Sequence, residues 1–537
     1  MRLPFPQVSW EKPCVTRLHA LLIVVALWAA IFLPGLGAIE LKGEEGRRVL
    51  PAVTMLETGD WIVPYVGGEP YLRKPPLIHW LIAASFRVTG ARDNFAARLP
   101  SALGVLALAV ALVGVGSAWL TPGGALLAAI FAMTNLGMLE KGRLAELEAL
   151  YISMTGIALI CWLAWWRDER SPWLVWTVPF VFLGLGLLTK APLHLLYFYA
   201  VVVGVLWRAK RLRDLRCAPH FVGVVLMLAI FAAWAVPYLQ AVAKLGAANV
   251  WTEEFAGRVA HSKTNFALWT ENFWNNYKNF LPWLLFVPLW WNRRVLDAMP
   301  ERDAAIFRGT RLAVVLCGCG LILIPGVLSR YTLPLVVPAS LLTALALGAP
   351  NLLPLRVLPA WRVVLLVLFG VVAAAACTLP FVAGHHGATL AAAATILLVA
   401  AGGFVLRGKF TTPPALAIGT ATAIALGVLI FVAGKVPRII AAEKNRPMAQ
   451  GINAALPGAR ELYVVDPGYQ PALFYIRPRC IYFKSPADLP PQGGAVLVRA
   501  EAQKKLARLG RATRVLAQFK DSGGSYFLLL EVAAAGG

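Results

Sequence analysis

Long apolar runs, separated by short charged or proline- and glycine-containing segments, fill the chain from residue 18 to residue 434. Most are near the length that an α-helix needs to cross a bilayer. The 537-residue chain is 59% hydrophobic and only 14% charged, whereas a soluble domain carries about a quarter charged residues. These features predict a polytopic α-helical membrane protein. Its spans, about 13 in number, are expected at 18–38, 99–119, 124–139, 149–166, 173–188, 191–207, 220–240, 280–292, 312–328, 332–350, 362–383, 388–406 and 413–434.

The short arginine-rich loops predict how these spans are oriented. When the spans alternate, "RDER", "RAKRLRDLR", "RGK" and the loop 292–311 all fall on the side of the N-terminus. Loops of this kind are cytoplasmic, so the N-terminus is expected in the cytoplasm. The opposite, outer face then receives loop 38–98, the short segment 140–148, loop 241–279 and the whole C-terminus.

The N-terminal region resembles a signal sequence, because Arg2, Lys12 and Arg17 precede the apolar run Leu18–Leu36. The run is long and many spans follow it, which favours an uncleaved anchor over a cleaved signal peptide.

A net charge of +23 could indicate a nucleic-acid partner, but the basic residues flank the apolar runs and form no single cationic stripe. They are better interpreted as orientation signals and as contacts to membrane lipids or phosphates. The seven cysteines show no metal-ligand spacing, with Cys317 and Cys319 inside an apolar run. No zinc site or disulfide framework is predicted.

The last hundred residues change character, with short β-type runs such as "ELYVVD" and "SYFLLLEV" beside the helical pattern of "AEAQKKLARLG". They predict a small extracytoplasmic α/β domain over residues 437–537. Residues 1–436 are then the transmembrane domain, including the outer loops 38–98 and 241–279.

The first outer loop opens with "GEEGRR", residues 43–48. If this segment is helical, Glu44 faces Arg47 and Arg48 at spacings of three and four residues. A solvated surface ion pair is the plain alternative, and such pairs contribute little. The composition of the same loop favours a functional role, since Lys74 stands before a double proline and aromatic residues are frequent, Tyr71 among them.

Further charges lie at the predicted outer membrane edge. Glu148 stands beside an apolar run, where an acid is costly unless it is functional. Lys190, Arg258, Arg330 and Tyr331 lie at other span ends or in the outer loop. Each cation alone fits a side chain that snorkels to the membrane surface. Together these residues place carboxylates and phosphate-binding cations at the same depth, the outer edge of the membrane. That arrangement suits an enzyme whose substrate is a lipid phosphate.

The ordered motifs "EEGRR", "YLRKPPLIHW", "ARLPSAL", "GRLAELEAL", "LTKAP" and "RYTLPLVVP" resemble those of the bacterial GT-C glycosyltransferases of the family 39 type. That group includes the lipid A aminoarabinose transferases and the protein O-mannosyltransferases. The resemblance covers the whole membrane part and implies a GT-C fold with a C-terminal extracytoplasmic domain.

The resemblance implies catalytic roles for Glu44 and Glu148, where the family usually has aspartates. This chain departs from the family pattern at two further positions. Arg48 replaces a frequent tyrosine, and Pro51 is expected to interrupt the helix. The residues expected to bind the lipid phosphate or the sugar are Glu45, Arg47, Tyr71, Lys74, Lys190, Arg258, Arg330 and Tyr331.

The implied reaction moves a sugar from a polyprenyl-phosphate donor to an extracytoplasmic acceptor, with inversion at the anomeric carbon. Lipid A or another envelope glycolipid is the favoured acceptor, and a protein is the alternative. No cofactor is required, a bound divalent metal would be adventitious, and a monomer is expected. The competing class is a transporter or flippase of lipid-linked substrates, which would place ionisable residues within the spans and show a repeat.

Overall fold

The computed structural model describes residues 15–190, 192–245, 266–323, 328–407, 410–520 and 526–534. Arg2 and Lys12, which entered the interpretation of the N-terminus, lie outside these residues. The helices are α1 (Arg17–Phe32), α2 (Gly46–Thr58), α3 (Leu77–Thr89), α4 (Asn94–Thr134), α5 (Leu136–Lys141), α6 (Leu147–Arg167), α7 (Pro172–Leu187), α8 (Leu193–Arg208), α9 (Ala218–Lys244), α10 (Phe266–Lys278), α11 (Arg293–Asp297), α12 (Glu301–Leu323), α13 (Val336–Leu347), α14 (Val357–Cys377), α15 (Leu379–Leu406), α16 (Pro413–Gly434), α17 (Val436–Ala441), α18 (Asn445–Ala455) and α19 (Gln503–Arg508).

Seven helical segments of the described chain are long and apolar enough to cross a membrane. The polytopic helical fold predicted from the apolar runs is therefore confirmed. The segments are Asn94–Thr134, Leu147–Arg167, Ala218–Lys244, Glu301–Leu321, Ser329–Leu347, Val357–Phe381 and Pro413–Ala441.

Three predicted boundaries can be compared with the helices. The break expected between the spans 99–119 and 124–139 coincides with a kink in α4, where Thr121 has φ 61° and ψ 160°. The turn expected between residues 383 and 388 is wrong, because α15 runs through it and the break lies at Thr378. Pro380 in the first turn of α15 explains the position, since its missing N–H would have no helical partner there. The predicted span 280–292 contains a nine-residue 3₁₀ helix, Trp283–Trp291.

The chain divides into two compact units. The helical unit contains Met1–Pro34, Ser101–Val236 and Trp251–Lys435. The mixed unit contains Gly35–Pro100, Pro237–Val250 and Val436–Gly537. The first outer loop of the sequence and the C-terminal segment therefore form one unit.

Within the helical unit, α6 is the most enclosed span, with every residue of its apolar stretch buried. α8 and α12 pack with direct backbone contact between Gly204 and Gly309. A Cβ on Gly309 would lie only 2.4 Å from the backbone nitrogen of Val205, so the close crossing requires glycine.

The C-terminal segment of the mixed unit contains a five-stranded sheet in the order β4-β3-β5-β7-β6. β3 pairs parallel to β4 and β5, whereas β7 pairs antiparallel to β5 and β6. Together with α18 and α19, this sheet confirms the predicted α/β character of the segment. The strands are β3 (Glu461–Val465), β4 (Arg479–Phe483), β5 (Gly494–Arg499), β6 (Thr513–Lys520) and β7 (Tyr526–Val532), and a separate hairpin joins β1 (Tyr65–Val66) to β2 (Glu69–Pro70).

Glu40 and Tyr475 attach the start of the loop to the C-terminal segment. The Glu40 carboxylate accepts the backbone N–H groups of Asn445 and Arg446, each at 2.9 Å, at the beginning of α18. A negative charge is favourable at a helix N-terminus. The Tyr475 hydroxyl accepts the backbone N–H of Leu41 at 2.6 Å. The residues just before "GEEGRR" are thereby held in place.

Candidate functional site

A tight turn at Gly43, with φ +54°, leads the chain into α2. α2 contains Pro51, so the expectation that this proline interrupts the helix is wrong. The proline removes only the N–H that would have reached the carbonyl of Arg47. The helix continues because the residues around the proline, Val49 to Val53, are buried, and such packing stabilises a helix more than local propensity does.

Glu44 lies between two arginines at the start of α2. Its Oε1 accepts a hydrogen bond from Arg47 Nη1 at 2.7 Å, and its Oε2 accepts one from Arg48 Nη2 at 3.3 Å. The side chains of Glu44 and Arg47 are 37% and 32% exposed, whereas that of Arg48 is 4% exposed. One carboxylate and one guanidinium of this trio are therefore accessible to a ligand.

Tyr71 and His79 fix the position of Arg48. Its Nη1 donates to the Tyr71 hydroxyl at 2.6 Å, and its guanidinium carbon lies 5.4 Å from the Tyr71 ring centroid. His79 Nδ1 is 2.9 Å from the carbonyl oxygen of Arg48, so Nδ1 carries the proton of this bond. Burial lowers the pKa of His79 to about 3, which keeps the imidazole neutral at physiological pH.

Glu45 faces the other way from Glu44 and is fully buried. Its two oxygens accept hydrogen bonds from Arg98 Nε at 2.7 Å and from Arg98 Nη2 at 2.9 Å. Arg98 also donates to the carbonyl oxygens of Leu36 and Ile39. This bidentate pair ties the start of α2 to the preceding turn and to α4.

Tyr469 of the C-terminal segment completes the surroundings of Glu44. Its hydroxyl donates to the carbonyl of Gly43, and the guanidinium carbon of Arg47 lies 4.7 Å from its ring centroid. A Cβ on Gly46 would lie 2.8 Å from the Tyr469 hydroxyl oxygen, so a larger residue there would displace the Tyr469 ring. Burial raises the pKa of Tyr469 to about 12, and its hydroxyl therefore stays protonated.

In the helical unit, Glu148 occupies the first turn of α6 and is 5% exposed. Its Oε1 is 3.2 Å from Lys190 Nζ and 3.9 Å from Arg330 Nε. A buried carboxylate of this kind requires paired cations. The structure thus brings three of the predicted site residues, Glu148, Lys190 and Arg330, into one cluster.

Two tyrosine rings flank Lys190. Its Nζ lies 5.5 Å from the ring centroid of Tyr151 and 5.1 Å from that of Tyr331. The Tyr151 hydroxyl accepts the backbone N–H of His194 at 2.6 Å, and the Tyr197 hydroxyl donates to the carbonyl of Tyr331. Both rings are therefore held in fixed positions around the ammonium group.

The other two acids of the 140–148 segment, Glu140 and Glu146, pair with Lys141. Its Nζ lies 3.0 Å from Glu140 and 2.9 Å from Glu146. Burial by itself lowers the pKa of Lys141, but the two carboxylates outweigh burial and raise this pKa above its usual value. Glu148 is thus the acid of this segment that pairs with Lys190.

The predicted site residues fall into two clusters, one in each unit. Glu44, Glu45, Arg47 and Tyr71 belong to the mixed-unit cluster, whereas Glu148, Lys190, Arg330 and Tyr331 belong to the helical-unit cluster. Lys74 is half-buried in the turn before α3, and Arg258 lies outside the described residues. Sequence reasoning assigned no role to five residues that contact these clusters, namely His79, Arg98, Tyr151, His194 and Tyr469.

The helical bundle with an α/β C-terminal segment has the architecture of a class of membrane protein, the GT-C fold. The structure superimposes on the crystal structure of ArnT from Cupriavidus metallidurans bound to undecaprenyl phosphate, with a TM-score of 0.70 and 19% sequence identity. The match covers 96% of this chain and 98% of that one. The chain has the same fold.

Sequence comparisons agree with this class. Residues 73–236 match the family described as dolichyl-phosphate-mannose-protein mannosyltransferase. The chain is 27% identical over 278 residues to the undecaprenyl phosphate-alpha-4-amino-4-deoxy-L-arabinose arabinosyl transferase of Pseudomonas savastanoi pv. phaseolicola, a match that covers 50% of this chain and 48% of that protein. It is 30% identical over 193 residues to an uncharacterized protein of Aquifex aeolicus, covering 36% and 42% of the two chains. The resemblance to GT-C glycosyltransferases of the family 39 type is confirmed, and the chain spans about half the length of the first curated relative.

The two neighbouring glutamates are expected to differ sharply in their effect on stability. Glu45→Gln leaves Arg98 buried beside a neutral amide, which should lower the free energy of unfolding by about 3 kcal/mol or more. Glu44→Gln, the matched control one residue away, should lower it much less, because the Glu44 carboxylate is partly solvated and Arg48 keeps its hydrogen bond to Tyr71. Thermal and denaturant unfolding of the purified proteins in detergent measures both. If the two variants were equally stable, Glu45 would not be the glutamate that stabilises the fold.

Proposed function

We propose that this protein is an integral membrane glycosyltransferase, which moves a sugar from a polyprenyl-phosphate donor of the undecaprenyl type to an acceptor on the outer face. The observation that carries the proposal is the accessible carboxylate of Glu44, held between two arginines. The fold shared with ArnT and the name of the curated relative support the donor class. Such a donor suits the outer face, where nucleotide sugars are absent.

Glu44 is the proposed general base. The acceptor hydroxyl oxygen attacks the anomeric carbon and its proton passes to Glu44, while the bond from that carbon to the phosphate oxygen breaks. Polyprenyl phosphate leaves with the electron pair, and direct displacement inverts the anomeric configuration. An acceptor that is itself a phosphate is already ionised, and Glu44 then mainly orients it.

Cations near the leaving phosphate stabilise the charge that develops on its oxygens. Arg47 is proposed for this role because its guanidinium is partly exposed and fixed over the Tyr469 ring. Lys74, Lys190 and Arg258 are the further phosphate contacts that the family resemblance implies. Tyr71 acts through Arg48, to which it is hydrogen-bonded, and Glu45 acts through Arg98, so both are positioning residues.

Glu148 is proposed to orient the sugar or the acceptor together with Lys190 and Arg330. The tyrosine-flanked ammonium of Lys190 neutralises Glu148 within the cluster. Arg330 Nε is buried and has no hydrogen-bond partner among the described residues. The Arg330 side chain as a whole is 33% exposed, and a guanidinium can donate charge-assisted hydrogen bonds to an oxygen of the substrate.

A glycolipid such as lipid A is the favoured acceptor, in keeping with the family resemblance. A protein acceptor is the second candidate, and it is supported by the match of residues 73–236 to a family described by protein mannosylation. The proposed location is the bacterial inner membrane, with the N-terminus in the cytoplasm and the site and C-terminal segment on the periplasmic face. The arginine-rich loops support this orientation, and the protein is proposed to act as a monomer without a cofactor.

Glu44→Gln is expected to abolish sugar transfer, with a fall in kcat of roughly 10²-fold to 10⁴-fold, because a positioned general base contributes about that much. The assay uses purified full-length protein, a polyprenyl-phosphate sugar and an acceptor with a hydroxyl group. Glu57→Gln is the matched control, since Glu57 pairs with Arg92 elsewhere in the mixed unit. Full activity of Glu44→Gln would remove Glu44 from the mechanism.

Lys74→Ala is expected to weaken donor binding, because the ammonium group would no longer attract the lipid phosphate. The adjacent Arg73→Ala is the control, since Arg73 is an exposed cation in the same turn. Titration of each variant with the polyprenyl-phosphate sugar measures the affinity. If Lys74→Ala binds the donor as tightly as Arg73→Ala does, Lys74 is not a phosphate contact.

A further inference from the structure

Three arginines of the helical unit converge far from Glu148 and Lys190. Arg208 ends α8, whose first residue follows Lys190 closely, so the 16-residue helix separates them by about 24 Å. Arg308 and Arg311 lie one turn apart on α12. The glycine crossing of α8 and α12 brings the two helices together beside them. Gly204 lies one turn before Arg208, and Gly309 is the neighbour of Arg308, so the three arginines share this crossing.

None of these three arginines forms an ion pair within the part of the chain that the structure describes. Other arginines of the same arginine-rich segments do have carboxylate partners there. Arg167 Nε lies 3.0 Å from Asp303, Arg211 Nε lies 3.1 Å from Asp214, and Arg302 pairs with Glu169. Three positive charges that lie close together repel one another when no carboxylate neutralises them. An anion from outside the chain would remove this repulsion.

Tryptophans hold two of the guanidinium groups. Arg311 Nη1 donates to the carbonyl of Trp290 at 2.6 Å, and its guanidinium carbon lies 5.4 Å from the Trp291 ring centroid. The guanidinium carbon of Arg208 lies 4.6 Å from the Trp207 ring centroid. Trp207 and Trp291 are 52% and 51% exposed. Arg208 ends α8, and Arg311 directly precedes the predicted span 312–328. Exposed tryptophans beside arginines in such positions are typical of the headgroup level of a bilayer.

We propose that Arg208, Arg308 and Arg311 form a binding site for the phosphate group of an anionic phospholipid. Guanidinium groups bind phosphate oxygens with paired hydrogen bonds, and basic pockets between transmembrane helices bind lipid headgroups. The exposed indoles of Trp207 and Trp291 would lie against the acyl chains. The site is independent of sugar transfer, because it lies at the opposite end of α8 from Lys190.

The test uses the purified full-length protein in detergent, with thermal unfolding followed during titration with dioleoylphosphatidylglycerol. The variant Arg208→Gln/Arg308→Gln removes two exposed cations of the site and leaves Arg311 bonded to Trp290. Its apparent affinity for the anionic lipid should fall by about thirty-fold, the loss expected for two arginines at headgroup level. The control Arg213→Gln/Arg216→Gln removes two cations from the nearby 3₁₀ segment Leu212–Arg216 and should bind near the wild-type affinity.

Unfolding of both variants without lipid establishes that they are folded. Dioleoylphosphatidylcholine, which carries no net charge, should stabilise all three proteins alike. Equal loss of affinity in the two variants, or no loss in either, would overturn the site. Inorganic phosphate should protect the wild type much less than the lipid does. Equal protection would show that the occupant is a soluble phosphate compound and would overturn the lipid assignment.

Discussion

The buried ion pair between Glu45 and Arg98 is the interaction on which the mixed-unit cluster depends. Removing either partner would leave an uncompensated charge in the interior, which is among the most destabilising changes known. Because Arg98 also binds the carbonyls of Leu36 and Ile39, the pair fixes the entry to α2. The pair also gives the two adjacent glutamates different roles. Glu45 is buried in an ion pair that stabilises the fold, whereas Glu44 stays accessible.

The helical unit follows the same rule, that a buried charge needs an opposite charge beside it. Glu148 is buried and pairs with Lys190, which is itself flanked by Tyr151 and Tyr331. In both clusters an acid is neutralised by one cation, and a second cation stands close by, Arg48 in one and Arg330 in the other. Charges prearranged in this way would need little reorganisation during the proposed transfer, which places charge on a phosphate.

The apolar runs predicted the helices well, because burial in a bilayer needs long uninterrupted apolar segments. Helical spacing also predicted the contacts of Glu44 with Arg47 and Arg48, which are local. It could not predict that Glu45 pairs with Arg98, or that Tyr469 covers Gly46, since these contacts join residues far apart in the chain. The expected break at Pro51 was wrong because tertiary burial outweighed a local helix-breaking preference.

Transfer by the wild-type protein in detergent tests the central proposal most directly. Purified protein would be mixed with a synthetic undecaprenyl-phosphate sugar and either a glycolipid or a protein acceptor, and the products followed by mass spectrometry. Detergent leaves no two compartments, so transport alone cannot change any molecule. A transferase should yield glycosylated acceptor and undecaprenyl phosphate in equal amounts. An unchanged donor with every acceptor, from a protein that is folded and binds the donor, would contradict the account.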